Sequence, residues 1–229
     1  MFVDIHTHID NQSVIKIVDE NGVRVFETVG IHPWELDRHF DWSEAEWRNP
    51  FFEKAFGNGG FLDKLEMTVA LGEVGLDKAH KDTFDKQIEV FEEMIRLSES
   101  YRKPMIIHCV RAYSEIIAMR KTTKATMPWV IHGFNSSVET MRQLLRYDMY
   151  ISLGEMLYRN ESQAVEILKN IPLERLFLET DVSGRDIKDV YAKASTLMNC
   201  EVDLLCKQIF ENYGRLETAH RYINRCRRS

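Results

Sequence analysis

Short apolar runs alternate along the chain with longer amphipathic stretches, as parallel βα units do. Residues 2–8, 23–31, 68–73, 104–109, 129–132, 149–153 and 175–179 read as strands. Most are continuously apolar, as strands covered on both faces are. Residues 81–101 form the clearest helical pattern, with Phe84, Ile88, Phe91, Ile95 and Leu97 near one face. Residues 112–120, 138–146 and 162–170 follow the same logic, and Asn135-Ser136-Ser137 supplies capping oxygens ahead of Val138. Segments 51–56 and 61–65 predict further helices separated by Gly57-Asn58-Gly59-Gly60, and two or three helices fill 187–228.

This order predicts an α/β fold, a TIM-type (β/α)8 barrel, but its first quarter is irregular. The candidate for the missing strand, 13–18, is separated from the next by 19–22 alone. A parallel crossover needs about a dozen residues, and Asn21-Gly22 is a hairpin signal. The region is therefore either an antiparallel insertion or a barrel short of one regular unit.

The bulk properties narrow the setting. The 229 residues, 44% hydrophobic and 29% charged, suit one domain over 1–229 with a sizeable core. The start of the chain lacks the basic and apolar regions of a secretory signal, and no apolar run is long enough to cross a bilayer. The four cysteines are scattered, which suits reduced thiols and a cytoplasmic protein. A net charge of −6 argues against a broad basic face gripping duplex DNA. The basic tail, Arg221, Arg225, Arg227 and Arg228, reads as favourable charge at a helix C-terminus or a frayed end. No obligate protein partner is evident.

The chemistry lies at strand ends. His6 and His8 sit two apart on the first strand and point the same way. Glu73, His108 and His132 are expected to close later strands, and Asp181 to stand just past another. In a β/α barrel these positions converge on one face. Burying so many ionisable groups together is costly without a cation. Four imidazoles and two carboxylates suit Zn²⁺, Mn²⁺ or Fe²⁺ better than Ca²⁺. Six donors are too many for one tetrahedral ion and suit two. The expected arrangement has Glu73 bridging, His6, His8 and Asp181 holding one ion, and His108 and His132 the other. Asp181 is then the general base for a metal-activated water.

These residues also carry a resemblance. Asp4-Ile5-His6-Thr7-His8-Ile9-Asp10, Gly30-Ile31-His32-Pro33, Ala70-Leu71-Gly72-Glu73-Val74-Gly75-Leu76-Asp77, Pro104-Met105-Ile106-Ile107-His108, Val130-Ile131-His132-Gly133-Phe134 and Leu178-Glu179-Thr180-Asp181 occur in order. Together they resemble the TatD-related deoxyribonucleases, within the metal-dependent amidohydrolase-like barrels. The resemblance implies two divalent ions, with Zn, Mn and Mg the candidates. It also implies hydrolysis of phosphodiesters, typically 3′→5′ on DNA, so the expected partner is a DNA end or a small phosphodiester. Carried over by position, the metal residues are again His6, His8, Glu73, His108, His132 and Asp181. The chain departs from the family pattern in its short opening quarter. It has Val110 where an arginine usually stands, with Arg111 one later, and Val182-Ser183-Gly184 where Ser-Pro is usual.

Other residues have two readings each. His32 is either a donor to substrate phosphate or a loop-fixing histidine. Arg111 is either a forked phosphate contact or a solvated residue at a helix start. Trp34, Trp42 and Trp47 either form a shelf for stacking bases or pack a loop onto the barrel. Asp77 and Asp10 read as loop-fixing carboxylates, Glu155 as a rim residue, Cys109 as core, and His39, His80 and His220 as surface. Rival functions are the same metal centre acting on a non-nucleic-acid ester, lactone or amide, and a barrel used only as a scaffold. A related phosphatase barrel also begins with H-x-H but lacks the G-E-x-G-L-D block.

Overall fold

The computed structural model describes residues 1–39, 60–159 and 162–221, and the side chains of 38–39 and 218–221 lie outside that description. The expected helix at 51–56, residues 57–59, Trp42, Trp47, the side chains of His39 and His220 and that of every arginine in the basic tail therefore fall outside the described residues.

Eight strands pair in chain order: β1 (Phe2–Ile9), β2 (Gln12–Asp19), β3 (Gly22–Val29), β4 (Ala70–Asp77), β5 (Met105–Val110), β6 (Trp129–Ile131), β7 (Tyr150–Leu153) and β8 (Leu176–Leu178). From β3 onward each neighbour is parallel. The sheet turns back on itself through a parallel bridge between Thr7 and Asp181, where the Asp181 N–H donates to the His6 carbonyl at 3.0 Å. This is the expected α/β barrel.

The irregular first quarter resolves into two hairpins. β1 pairs antiparallel with β2, and β2 antiparallel with β3. The strand is antiparallel, as one alternative has it, but it is a barrel strand and not an insertion; the opening lacks a regular βα unit, as the other has it, while the strand count still reaches eight. The β2–β3 turn ends at Gly22, whose φ of 128° suits a residue without a side chain. The β1–β2 turn uses Asp10 and Asn11 at φ 50° and 63°. Their short polar side chains tolerate the left-handed region. The sequence reading missed this second turn because it carries no glycine.

Two strand ends need correcting. The segment expected at 68–73 is β4, which continues to Asp77, so Glu73 lies within the strand instead of closing it, and β5 likewise runs past His108 to Val110. Gly72, Glu73, Gly75 and Asp77 interrupt the apolar run and hid the extension. The glycines are there for contact. A Cβ on Gly75, at φ 147°, would sit 2.0 Å from the His108 carbonyl oxygen.

Helices follow the strands as α1 (Leu36–His39), α2 (Phe61–Met67), α3 (Phe84–Tyr101), α4 (Tyr113–Thr123), α5 (Val138–Leu145), α6 (Ala164–Asn170), α7 (Ile187–Met198) and α8 (Val202–Arg221). Ser137 caps α5, its Oγ accepting the Thr140 N–H at 3.1 Å. The buried Trp129 packs edge-on to Phe91 of α3 and lies under the Arg120 guanidinium. Two buried polar ties anchor β1. The Tyr191 hydroxyl donates to the Val3 carbonyl and accepts the Val3 N–H. Asp4 accepts the Thr180 N–H at 2.9 Å and the Thr180 hydroxyl at 2.7 Å. No helix among the described residues is long and apolar enough to cross a membrane.

Candidate metal centre

His6 and His8, two apart on β1, share a face and their rings lie 4.9 Å apart, with Glu73 between them and the imidazoles of later strands. Glu73 Oε2 is 3.4 Å from His6 Nε2 and 3.7 Å from His8 Nε2. Its Oε1 is 2.8 Å from His108 Nδ1 and 2.7 Å from His132 Nε2. Asp181 Oδ1 stands 3.6 Å from both His6 Nε2 and His8 Nε2. The structure thus gathers all six residues singled out as metal ligands.

A seventh joins them. His32 Nε2 lies 3.2 Å from Glu73 Oε1 and 3.4 Å from His108 Nδ1, while its Nδ1 accepts the Trp34 N–H at 3.2 Å. His6, Glu73 and His132, then His6, His8 and Asp181, then His32, Glu73 and His108 form groups whose ligand atoms lie within 4.8 Å of one another. Among the described residues, buried His6 Nε2 has no hydrogen-bond partner. An orphaned ring nitrogen among carboxylate oxygens is what a cation site requires.

The electrostatics agree. Burial opposes charge on Glu73, but the His132 charge and hydrogen bonds from His108, His132 and His32 outweigh it and hold the carboxyl well below its usual range. Burial also opposes a proton on His132, yet Glu73 and Glu179 keep it well above an ordinary imidazole. Burial and the neighbouring His132 charge lower His6. The more open His8 is raised, chiefly by the Glu73 carboxylate beside it. The carboxylate is compensated by protons that a cation would displace.

Four residues behind the candidate ligands were not foreseen in this role. Ser13 of β2 places its hydroxyl 3.2 Å from His6 Nδ1, and the Thr28 hydroxyl of β3 lies 2.9 Å from both the Ser13 hydroxyl and its carbonyl. Asp77 was read as a loop-fixing carboxylate, and its Oδ1 does accept the Ala79 N–H at 2.7 Å. Its Oδ2 also lies 3.3 Å from His108 Nε2. Glu179 is buried beside His132, with Oε1 accepting the Gly133 N–H at 2.6 Å and lying 3.7 Å from His132 Nδ1. Glu179 and Asp77 belong to the quoted motifs, so a signal existed. Ser13 carried none, because its role depends on antiparallel register.

Beside Asp181 opens a cleft of about 840 Å³ over the ends of β5 to β8, lined by Arg111, Tyr113, Asn135, Ser136 and Arg159 among others. Arg111 is exposed, at φ 54°, and its guanidinium has no partner among the described residues. Glu155 is on the rim, as expected, ion-paired to Arg185 at 2.7 Å. Cys109 is buried, and burial pushes its thiol up to about 12. His80, read as a surface residue, is half-exposed but lies 3.4 Å from Asp77 Oδ2.

Comparison with known proteins places this geometry. The sequence profile of the TatD related DNase family matches residues 1–217. The chain is 25% identical over 177 residues to the uncharacterized metal-dependent hydrolase YjjV of Escherichia coli K12, a match covering 76% of this chain and 64% of that protein. It is 27% identical over 169 residues to the deoxyribonuclease Tat-D of Schizosaccharomyces pombe, covering 72% and 53%. It is 36% identical over 119 residues to the human 3′-5′ RNA nuclease TATDN2, covering 49% and 16%. The chain thus spans less than two thirds of these relatives. In architecture it is similar to the crystal structure of Escherichia coli YjjV, with a TM-score of 0.68 at 23% identity over 83% of this chain and 76% of that one. The profile match covers both the barrel and the strand-end residues that meet at Glu73, and the chain belongs to the TatD related DNase family.

Proposed function

We propose that the chain is a metal-dependent phosphodiesterase acting on nucleic-acid ends or small phosphodiesters. Two divalent ions, of Zn²⁺, Mn²⁺ or Mg²⁺, would be held by His6, His8 and Asp181 on one side and His108 and His132 on the other, with Glu73 between them. His32, within reach of Glu73 and His108, would complete the second side or meet the substrate. The observation that carries the reading is the division of Glu73, one oxygen toward His6 and His8 and the other toward His108 and His132. Cations so held act as Lewis acids and lower the pKa of bound water.

The chain's own residues supply the rest. Asp181 is the ligand-range carboxylate left partly open, 34% exposed against 9% for Glu73, so it is the one placed to take a proton from attacking water. Asp77 and Ser13 each lie within hydrogen-bond reach of the ring nitrogen that His108 and His6 turn away from Glu73, so they would set the tautomer of those rings, while Glu179 lends His132 a nearby negative charge at 3.7 Å. Arg111 and the hydroxyl and amide groups of the cleft suit a phosphate backbone next to Asp181. The relatives named as nucleases support that substrate class. Unpaired Cys109, Cys200 and Cys206 support a reducing, cytoplasmic setting.

Single-stranded DNA, RNA, bis(4-nitrophenyl) phosphate and simple lactones, each assayed with Mg²⁺, Mn²⁺ and Zn²⁺, test the reading. The phosphodiesters should be hydrolysed, and Asp181→Asn should lose most of that activity while retaining the fold. Hydrolysis of lactones alone would transfer the same centre to a non-phosphate ester, and full activity in Asp181→Asn would remove the proposed base.

A further inference from the structure

Among the described residues, packing does not explain Trp34. It follows β3 by five residues, and 59% of it is exposed, a heavy load of apolar surface for solvent to carry. Nor is it loosely held. Its indole Nε1 donates to Asp77 Oδ2 at 2.7 Å. His32 meets it edge-on, with ring centroids 4.9 Å apart, and His80 lies against it in a tilted stack at 5.0 Å. The His108 centroid is 5.8 Å away. An exposed aromatic ring is thus bolted to the carboxylate that faces His108 Nε2, one imidazole away from Glu73. A rigid exposed ring beside a phosphate-directed centre has the properties of a stacking platform. Such platforms accept any base, because every base offers a π face.

We infer that Trp34 is a nucleobase-binding platform, on which a base next to the scissile phosphate stacks while Asp77 holds the indole in place beside the metal ligands. This inference rests on the phosphodiesterase reading and narrows it: the substrate carries a base, and a bare sugar phosphate lacks the main handle. The cleft toward Arg111 and Asn135 lies beyond β4, so it can take further backbone without competing for the platform.

The test is equilibrium binding to the metal-loaded protein by isothermal titration calorimetry, comparing deoxyadenosine 5′-monophosphate with 2-deoxyribose 5-phosphate. The nucleotide should bind about tenfold more tightly, toward the low end of the effect of stacking one base. Trp34→Ala should erase that ratio by weakening the nucleotide alone. Trp34→Phe, which keeps a ring but cannot donate to Asp77, should retain most of it. Equal weakening of both ligands in Trp34→Ala would overturn the platform, since it would show that the indole acts only through Asp77 and His108. A ratio near one in the wild-type protein would overturn it too. Hydrolysis of bis(4-nitrophenyl) phosphate by the same preparation keeps the two readings apart. A tenfold ratio without hydrolysis sinks the reaction and leaves the platform, while hydrolysis without the ratio sinks the platform alone.

Discussion

Replacing Ser13 by alanine should damage metal binding more than folding. Coordination through His6 Nε2 requires the proton on Nδ1, and the Ser13 hydroxyl at 3.2 Å is the group that accepts it. The Thr28 hydroxyl, 2.9 Å from both Ser13 oxygens, holds that acceptor in place. In Ser13→Ala the buried Nδ1–H loses its partner, which costs about 1–3 kcal/mol. Because 3.2 Å is longer than the usual distance, about 1 kcal/mol is the fitting figure. In a chain of this size that lowers the melting temperature by about 2–4 °C. The ring can then move its proton to Nε2 and donate to Glu73 Oε2, 3.4 Å away. That tautomer stabilises the metal-free protein and blocks the donor, so Zn²⁺ affinity should fall by about 10–100-fold, as when the partners of metal ligands are removed. Competition against a chromophoric chelator measures the affinity, and calorimetry of the metal-free protein measures the melting point. Thr28→Val should shift both in the same direction by less. A Ser13→Ala protein that melts lower but binds Zn²⁺ as tightly as the wild type would refute the tautomer argument.

Gly75→Ala should be among the most disruptive single-methyl changes, because its Cβ would enter the His108 carbonyl at 2.0 Å; forcing β4 and β5 apart should cost about 3 kcal/mol or more in urea unfolding and weaken metal binding with it. Tyr191→Phe removes the hydroxyl that both donates to and accepts from Val3, and should cost about 1–3 kcal/mol in the same assay. Lys103 is buried, with Nζ donating to the carbonyls of Glu66 and Thr68, and burial lowers its pKa to about 8. Between that value and the unfolded value of about 10.4 the unfolded chain binds the extra proton, so wild-type stability should rise with pH across that window relative to Lys103→Met, by at most about 3 kcal/mol; a difference curve that is flat or falls would contradict the burial argument.

What the sequence made legible and what it hid follow from how far each feature depends on local pattern. Strands β5 to β8 are short apolar runs flanked by turn residues, so periodicity locates them to within a residue or two. The six ligand-type residues were legible because each lies in or just after a strand of a barrel whose strands converge on one face, even where, as at Glu73, the strand runs on past the residue. β4 was placed short because its interior carries Gly72, Glu73, Gly75 and Asp77, which read as the end of a strand. The two glycines are there because β5 passes too close for a Cβ, His108 against Gly75 and Ile106 against Gly72, a constraint that no window along the chain contains. The partners of the ligands were hidden for a related reason. Ser13 is opposite His8 only through the antiparallel register of β1 and β2, and that register depends on a turn at Asp10 and Asn11.

That hairpin shifts where specificity must come from. A regular βα unit after β1 would carry a loop over the metal ligands, and loops at that end of a barrel supply substrate contacts. Here the connection is two residues long, and β2 returns at once to the bottom of the barrel. The strand still does the interior work of the unit it replaces: Ile15 and Ile17 join the core, Lys16 lies 3.6 Å from buried Asp4, and Ser13 reaches His6. What is lost is reach above the metals on the β1 side. On the reading proposed above, substrate recognition would fall to the loops that remain, Trp34 after β3, Arg111 after β5 and the cleft residues after β6 to β8. Restoring a longer loop between Ile9 and Gln12 should leave the fold intact, since the insertion is at an exposed turn, and should change substrate preference without changing metal affinity. Calorimetric titration with Zn²⁺ and the substrate panel read the two separately. A loop insertion that weakens Zn²⁺ binding would show that the tight turn positions His8 itself, and that the hairpin is part of the metal centre as well as its frame.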